Sequence, residues 1–140
     1  AVEIRARDME SEAVRVTELR NRLWEGIRAR IPEVRLTGHP TRRLPGTLNI
    51  CFRHVESESI VLGLDLKGVG VSAGSACTSG NVEPSHVLVA MGVPLSRAVA
   101  ALRLTVGPEN TEREIDYLLS VLPGVVASSR AKAAPRLTPK

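Results

Sequence analysis

Aromatic side chains are almost missing from this chain of 140 residues: Trp24, Phe52 and Tyr117 are the only three. The core must therefore be aliphatic, and the 43% share of hydrophobic residues is ordinary for a soluble globular protein. With so few rings to stack on bases, and no folded face that gathers the basic residues, a nucleic-acid partner is not expected. No apolar run approaches the roughly 20 residues of a membrane span, and no signal peptide is visible, so no membrane partner is expected. Cysteine is also scarce. Cys51 and Cys77 are the only pair, and one pair in so aliphatic a chain points to reduced thiols in a cytoplasm. No Cys/His spacing of a metal site occurs. Lysine is scarcer than the net charge suggests: only Lys67, Lys132 and Lys140 are present.

The net charge of +4 has a location. Arg130, Lys132, Arg136 and Lys140 form a tail without an acidic residue, and the remaining basic residues equal the 15 acidic ones. The length suits one domain with a real core. We place that domain at about residues 1–128, followed by a basic, poorly ordered tail over 129–140.

Residues 3–30 read as one long helix, because Met9, Ala13, Val16, Leu19, Leu23, Ile27 and Ile31 recur at steps of three and four. The pattern covers only about three heptads, too few for a coiled coil to be the better reading. Pro32 ends it. Strands follow at 34–37 and 47–53, separated by a loop dense in glycine and proline. His39, between Gly38 and Pro40, reads as an exposed loop residue. Cys51 sits on the second strand as a small, buried or half-buried side chain. Ser57 or Ser59 can cap a helix running to about Lys67, with Ile60, Val61, Leu64 and Leu66 inward and Gly68 beyond its end. Short helices are expected at 84–91 and 94–100. Residues 101–106 alternate, with Leu102, Leu104 and Val106 on one face and Ala101, Arg103 and Thr105 on the other. Thr111 and Glu114 form a capping box for a last helix, which Pro123-Gly124 should kink or break. Short strands mixed with helices imply an α+β domain: a small, mostly antiparallel sheet covered on one face by helices.

The remaining stretch is Ser72, Ala73, Gly74, Ser75, Ala76, Cys77, Thr78, Ser79 and Gly80. No side chain in it is larger than threonine, so it buries little apolar surface and its backbone is costly to fix. It reads as a mobile loop and the least ordered internal segment, with Cys77 accessible and Cys51 protected. A thiol on a mobile arm can visit two partners in turn, as group transfer requires. Composition alone favours a merely small residue at position 77, because no lysine or arginine adjoins it to lower its pKa.

The longer pattern changes that weighting. The run from Ser72 to Gly80 is followed by Glu83-Pro84-Ser85-His86, Met91-Gly92 and Leu102-Arg103-Leu104-Thr105-Val106-Gly107. Together they resemble the C-terminal part of a NifS/IscS-like cysteine desulfurase, over about residues 7–126. The resemblance implies the small C-terminal domain of a fold-type I enzyme dependent on pyridoxal phosphate. It implies that Cys77 attacks the sulfur of L-cysteine and carries it as a persulfide, with L-alanine as the other product. It implies that Arg103 holds the substrate carboxylate, a role that a planar fork of donors suits on chemical grounds as well. Without the resemblance, a strand-edge arginine in a surface ion pair is the better reading. The implied partners are a sulfur-acceptor protein such as an iron–sulfur scaffold, an N-terminal cofactor domain missing from this chain, and a second subunit in the complete homodimeric enzyme. A freestanding persulfide carrier without pyridoxal phosphate is the alternative. The chain starts with Ala1 inside a helix, as a cut fragment would.

Pyridoxal phosphate needs a lysine in a held, desolvated pocket. Two of the three lysines lie in the tail and Lys67 ends a helix before glycine, so we expect this chain alone neither to bind the cofactor covalently nor to release sulfide from L-cysteine. Borohydride reduction in the presence of pyridoxal phosphate, followed by peptide mass spectrometry, should find no stoichiometric adduct. Full labelling of Lys67 would overturn the expectation.

Overall fold

The apolar stripe of the first thirty residues forms a single helix, α1 (Val2–Arg30). The computed structural model describes residues 2–73 and 84–133. Val16, Leu19, Leu23 and Ile27 are buried along α1, and Ile31 just beyond it. Met9 continues the stripe in sequence but is 62% exposed, contrary to expectation. The reason lies in the last helix, α5 (Glu112–Ala133), which runs beside α1 in the same direction. Arg15 donates to the carbonyls of Pro108 and Asn110, just before α5 begins, and Arg22 forms a bidentate pair with Asp116 (2.9 Å). Farther along, Arg130 donates to the carbonyl of Pro32 (2.8 Å). The turns of α1 before Arg15 therefore extend past the start of its partner.

Four strands make one antiparallel sheet: β1 (Val34–Leu36), β2 (Thr47–Phe52), β3 (Ser72–Ala73) and β4 (Ala101–Thr105), in the order β1-β2-β4-β3. The expected α+β class and antiparallel sheet are found. The alternation in β2 and β4 sends Leu48, Ile50, Phe52, Leu102 and Leu104 to one face, where α1, α5 and a middle helix, α2 (Ser57–Asp65), bury them. Gly46 allows the chain to enter β2 against the end of β4: a Cβ there would collide with the Val106 carbonyl oxygen.

The helices do not leave the other face bare. Two short ones, α3 (His86–Ala90) and α4 (Leu95–Ala98), cover one end of it. There Leu88 and Ala98 pack with Cys51 and Ala101 into a small second cluster, with Val93 against it. Cys51 is a free thiol, 2% exposed, as its strand position predicted. Burial pushes its pKa up, against a weaker downward pull from Arg97 and Arg35.

Several local expectations give way to tertiary structure. Neither Ser57 nor Ser59 caps α2; Glu56 occupies the cap position without a side-chain bond. The Ser57 hydroxyl donates instead to the Val99 carbonyl (3.0 Å), tying α2 to the turn before β4. Helix α2 ends at Asp65, and Leu66, expected inward, is 78% exposed in the turn that follows. Ser72 and Ala73, expected in the loop, are strand residues paired with Arg103 and Leu102; residues 74–80 lie outside the described residues. The capping box does form: the Thr111 amide donates to Glu114 (2.7 Å) and the Glu114 amide to the Thr111 hydroxyl (3.3 Å). Helix α5 then runs through Pro123 without breaking. Buried Leu118, Leu119 and Leu122 before the proline and Val126 after it bind both halves to one core, which outweighs the missing donor. The helix also continues to Ala133, so residues 129–133 belong to it and not to a poorly ordered tail. Ser129 is buried there, and Arg130 reaches the carbonyls of Arg53 and Pro32. Residues 134–140 lie outside the described residues.

Two substitutions separate core from periphery. Phe52 is fully buried, so Phe52→Ala should cost about 3–5 kcal/mol by chemical denaturation, while Met9→Ala should stay within about 0.5 kcal/mol. Similar losses at both positions would contradict this packing. Cys51 gives a pH test. Its raised folded pKa means the folded state keeps the thiol proton that the unfolded chain loses, so stability is full below the ordinary thiol range and falls as pH rises through it. Cys51→Ala should flatten that alkaline decline; an unchanged slope would place the titrating group elsewhere.

Candidate functional site

The exposed part of the sheet's second face carries a polar row built by register. Ser72 on β3 lies opposite Arg103 on β4, and Arg103 lies opposite Asn49 on β2. Beyond Asn49, the Thr37 amide donates to the Asn49 carbonyl (2.9 Å), which extends the row past the end of β1. Side chains alternate along each strand, so the row next to it, Ala101 with Cys51, points to the same face but is closed over by α3 and α4. The Asn49–Arg103 pair is thus the first polar pair beyond that cover.

Arg103 is exposed, and it stands on a central strand, not on an edge. Its Nη2 reaches the Ser72 hydroxyl at 3.5 Å, a long contact. Among the described residues it has no carboxylate partner, as exposed Arg35 and Arg113 have none, whereas Arg22, Arg28 and Arg53 pair with Asp116, Glu25 and Glu33. The surface ion pair that the bland reading of this arginine requires is absent among the described residues. What remains is a charged fork of donors facing outward, fit for an incoming anion.

The described chain stops at Ala73 and resumes at Pro84. Both ends are anchored on this face. Ala73 pairs with Leu102, next to Arg103, and Leu88 of α3 packs over Cys51 and Ala101. The expected nucleophile Cys77 lies between these anchors, as do Gly74, Ser75, Ala76, Thr78, Ser79 and Gly80; all are outside the described residues.

Asn49 and Thr37 were not singled out from the sequence. Alternation puts Asn49 on the same side as Cys51, but only the pairing register sets it beside Arg103. The Thr37 hydroxyl donates to Asn49 Oδ1 at 2.6 Å, which orients the amide. His39 does have the loop role read from its neighbours: its Nδ1 accepts the backbone amide of Arg42 (2.9 Å), and its carbonyl accepts from Arg43 (2.7 Å).

Both described lysines are exposed. Lys67 is exposed at the turn after α2, where its carbonyl accepts the Tyr117 hydroxyl, and Lys132 is exposed in the last turn of α5. Both lie along an open groove between α2 and α5, with Leu62, Leu66, Val121 and Val125. Among the described residues, no group of three His, Cys, Asp or Glu side chains is placed to hold a metal ion, and no helix is long and apolar enough to cross a membrane.

Residues 3–118 match the aminotransferase class-V family. The curated relatives include cysteine desulfurase IscS of Clostridium botulinum, 45% identical over 132 residues, which is 93% of this chain and 33% of that protein. Cysteine desulfurase IscS 1 of Archaeoglobus fulgidus is 45% identical over 131 residues, 94% of this chain and 34% of that protein. The chain thus spans about a third of the length of these relatives. Among solved structures, a NifS-like protein from Rickettsia africae shares the fold, with a TM-score of 0.77 at 23% identity over 89% of this chain and 31% of its own. With the family match running from α1 into α5, across the whole sheet and its polar row, the chain belongs to the aminotransferase class-V family.

Proposed function

We propose that this chain is the C-terminal small domain of a cysteine desulfurase, a cytoplasmic homodimer when complete, that converts L-cysteine to L-alanine and carries the sulfur as a persulfide on Cys77. The observation that carries the reading is the register of β3 on β4. The strand that launches the Cys77 segment lies directly opposite Arg103, an exposed arginine with no acidic partner among the described residues. The names of the curated relatives support the same reading.

In this reading the roles divide between two residues. Arg103 receives the substrate carboxylate as a charge-assisted, forked contact and so fixes where the substrate sulfur lies. The Cys77 thiolate attacks that sulfur. A sulfur–sulfur bond forms, the substrate carbon–sulfur bond breaks, and the electron pair left on carbon takes a proton to give L-alanine. Pyridoxal phosphate, held by residues outside this chain, supplies the electron withdrawal that makes the carbon a tolerable leaving group. The outer persulfide sulfur then passes to the thiol of an acceptor protein, such as an iron–sulfur scaffold, and Cys77 returns to its thiolate.

The test uses the full-length protein that contains this chain. Cys77→Ser should abolish the persulfide seen by mass spectrometry after L-cysteine is added, because a hydroxyl cannot take up the sulfur. Arg103→Ala should weaken L-cysteine binding by about 10- to 150-fold while cofactor content is unchanged, the range expected for one contact to a charged group. A persulfide surviving in Cys77→Ser, or equal losses of substrate affinity and cofactor in Arg103→Ala, would sink the reading.

A further inference from the structure

We infer that Asn49 is a second donor to the anionic group that Arg103 receives, so that the polar row of the sheet is a two-residue carboxylate site. The inference rests on the function proposed above and adds to it a residue that reads the carboxylate. Three observations on the exposed face carry it. First, Asn49 and Arg103 are directly opposed across β2 and β4, on the same side of the sheet. Opposed side chains in an antiparallel pair start about 4.5–5.5 Å apart at their Cβ atoms, near enough for one carboxylate to touch both. Second, the Asn49 amide has a set direction. The Thr37 hydroxyl donates to its Oδ1 at 2.6 Å, with the Asn49 carbonyl a longer second acceptor at 3.0 Å, and Thr37, itself buried, is held by the backbone bond from its amide to that carbonyl. Oδ1 is therefore spoken for, and the NH₂ group is what Asn49 has left to offer. Third, that NH₂ has no acceptor among the described residues, although Asn49 is half-buried, and Arg103 has no carboxylate there either.

Two adjacent groups of donors without a carboxylate among the described residues can share one that arrives from outside. The Asn49 nitrogen is not a buried unpaired atom, so it is open to an incoming group, and a neighbouring guanidinium cannot occupy it, since both only donate. One carboxylate satisfies both, with one oxygen toward the guanidinium and the other toward the amide. Because Asn49 is neutral, the site carries one positive charge and suits a monoanion such as the carboxylate of an amino acid. The pair therefore distinguishes an amino acid from the amine of the same skeleton without a carboxylate.

The full-length protein that contains this chain tests this with two probes. L-Alanine, the proposed product, carries the carboxylate; cysteamine lacks it. Binding of each is measured by titration calorimetry, alongside cofactor content and the thermal midpoint. Asn49→Ala should weaken L-alanine by about tenfold and leave cysteamine unchanged, as expected for one lost bond to a charged acceptor. Asn49→Asp retains the shape and the acceptor for Thr37, so it keeps the fold if truncation does not, and it should weaken L-alanine further by opposing the carboxylate. The inference fails if Asn49→Ala weakens both probes equally, which marks a structural residue. It also fails if both Asn49 variants bind L-alanine normally while Arg103→Ala does not, in which case the proposed function stands and Asn49 is a bystander. If Arg103→Ala binds L-alanine normally too, the function reading falls with it.

Discussion

Everything in this domain depends on the pairing of β2 with β4. Thr47 through Cys51 lie opposite Thr105 through Ala101, and that single register sorts the side chains of both strands. It points Leu48, Ile50, Leu102 and Leu104 into one aliphatic layer under α1, α2 and α5. By the same alternation it sets Asn49 beside Arg103 and Cys51 beside Ala101 on the opposite face. A slip of one residue would exchange the two sets, burying an arginine and exposing leucines, so the core and the candidate site enforce the same pairing.

The helices brace this arrangement from outside. Because α1 and α5 run in parallel, contacts between them follow both chains in order, from Arg15 at the 107–110 turn to Arg130 at Pro32. Arg130 also fastens the end of α5, beyond its proline, to the rest of the domain. It donates to the carbonyls of Pro32 and Arg53, next to Glu33 and His54, the two described non-glycine residues with left-handed backbone (φ 58° and 61°). Those strained corners turn α1 into β1 and β2 toward α2, and Glu33 adds an ion pair to Arg53 across them (2.8 Å). The C-terminal ends of α1 and α5 are thereby tied together at one corner.

The two cysteines illustrate how burial divides labour. Cys51 is sealed beneath α3 and α4 with its proton held more tightly than in an ordinary thiol, which suits an inert packing residue. Cys77 belongs to a run of small side chains that has nothing with which to anchor itself in a core. The described residues on either side of it, Ala73 in β3 and Leu88 in α3, are both held on the face that carries Arg103.

What the sequence determined by itself was whatever depends on near neighbours. Strand alternation separated Leu102 and Leu104 from Arg103, the stripe from Val16 to Ile31 produced α1, and Thr111 with Glu114 capped α5, because each of these is settled within a few residues. The run around Cys77 and its downstream motif likewise carried the family, which the matches to known proteins support. Tertiary structure decided what depends on distant ones. Met9 and Leu66 are apolar residues in register with buried stripes, yet no described residue covers them. Ser57 has the chemistry of a helix cap, yet it binds Val99, 42 residues away. Pro123 has the chemistry of a helix break, yet a shared core carries α5 past it. Above all, no local pattern places Asn49 beside Arg103 or Thr37 beside Asn49; that neighbourhood exists only once β1, β2 and β4 have paired, since register is a property of strands together and not of either alone.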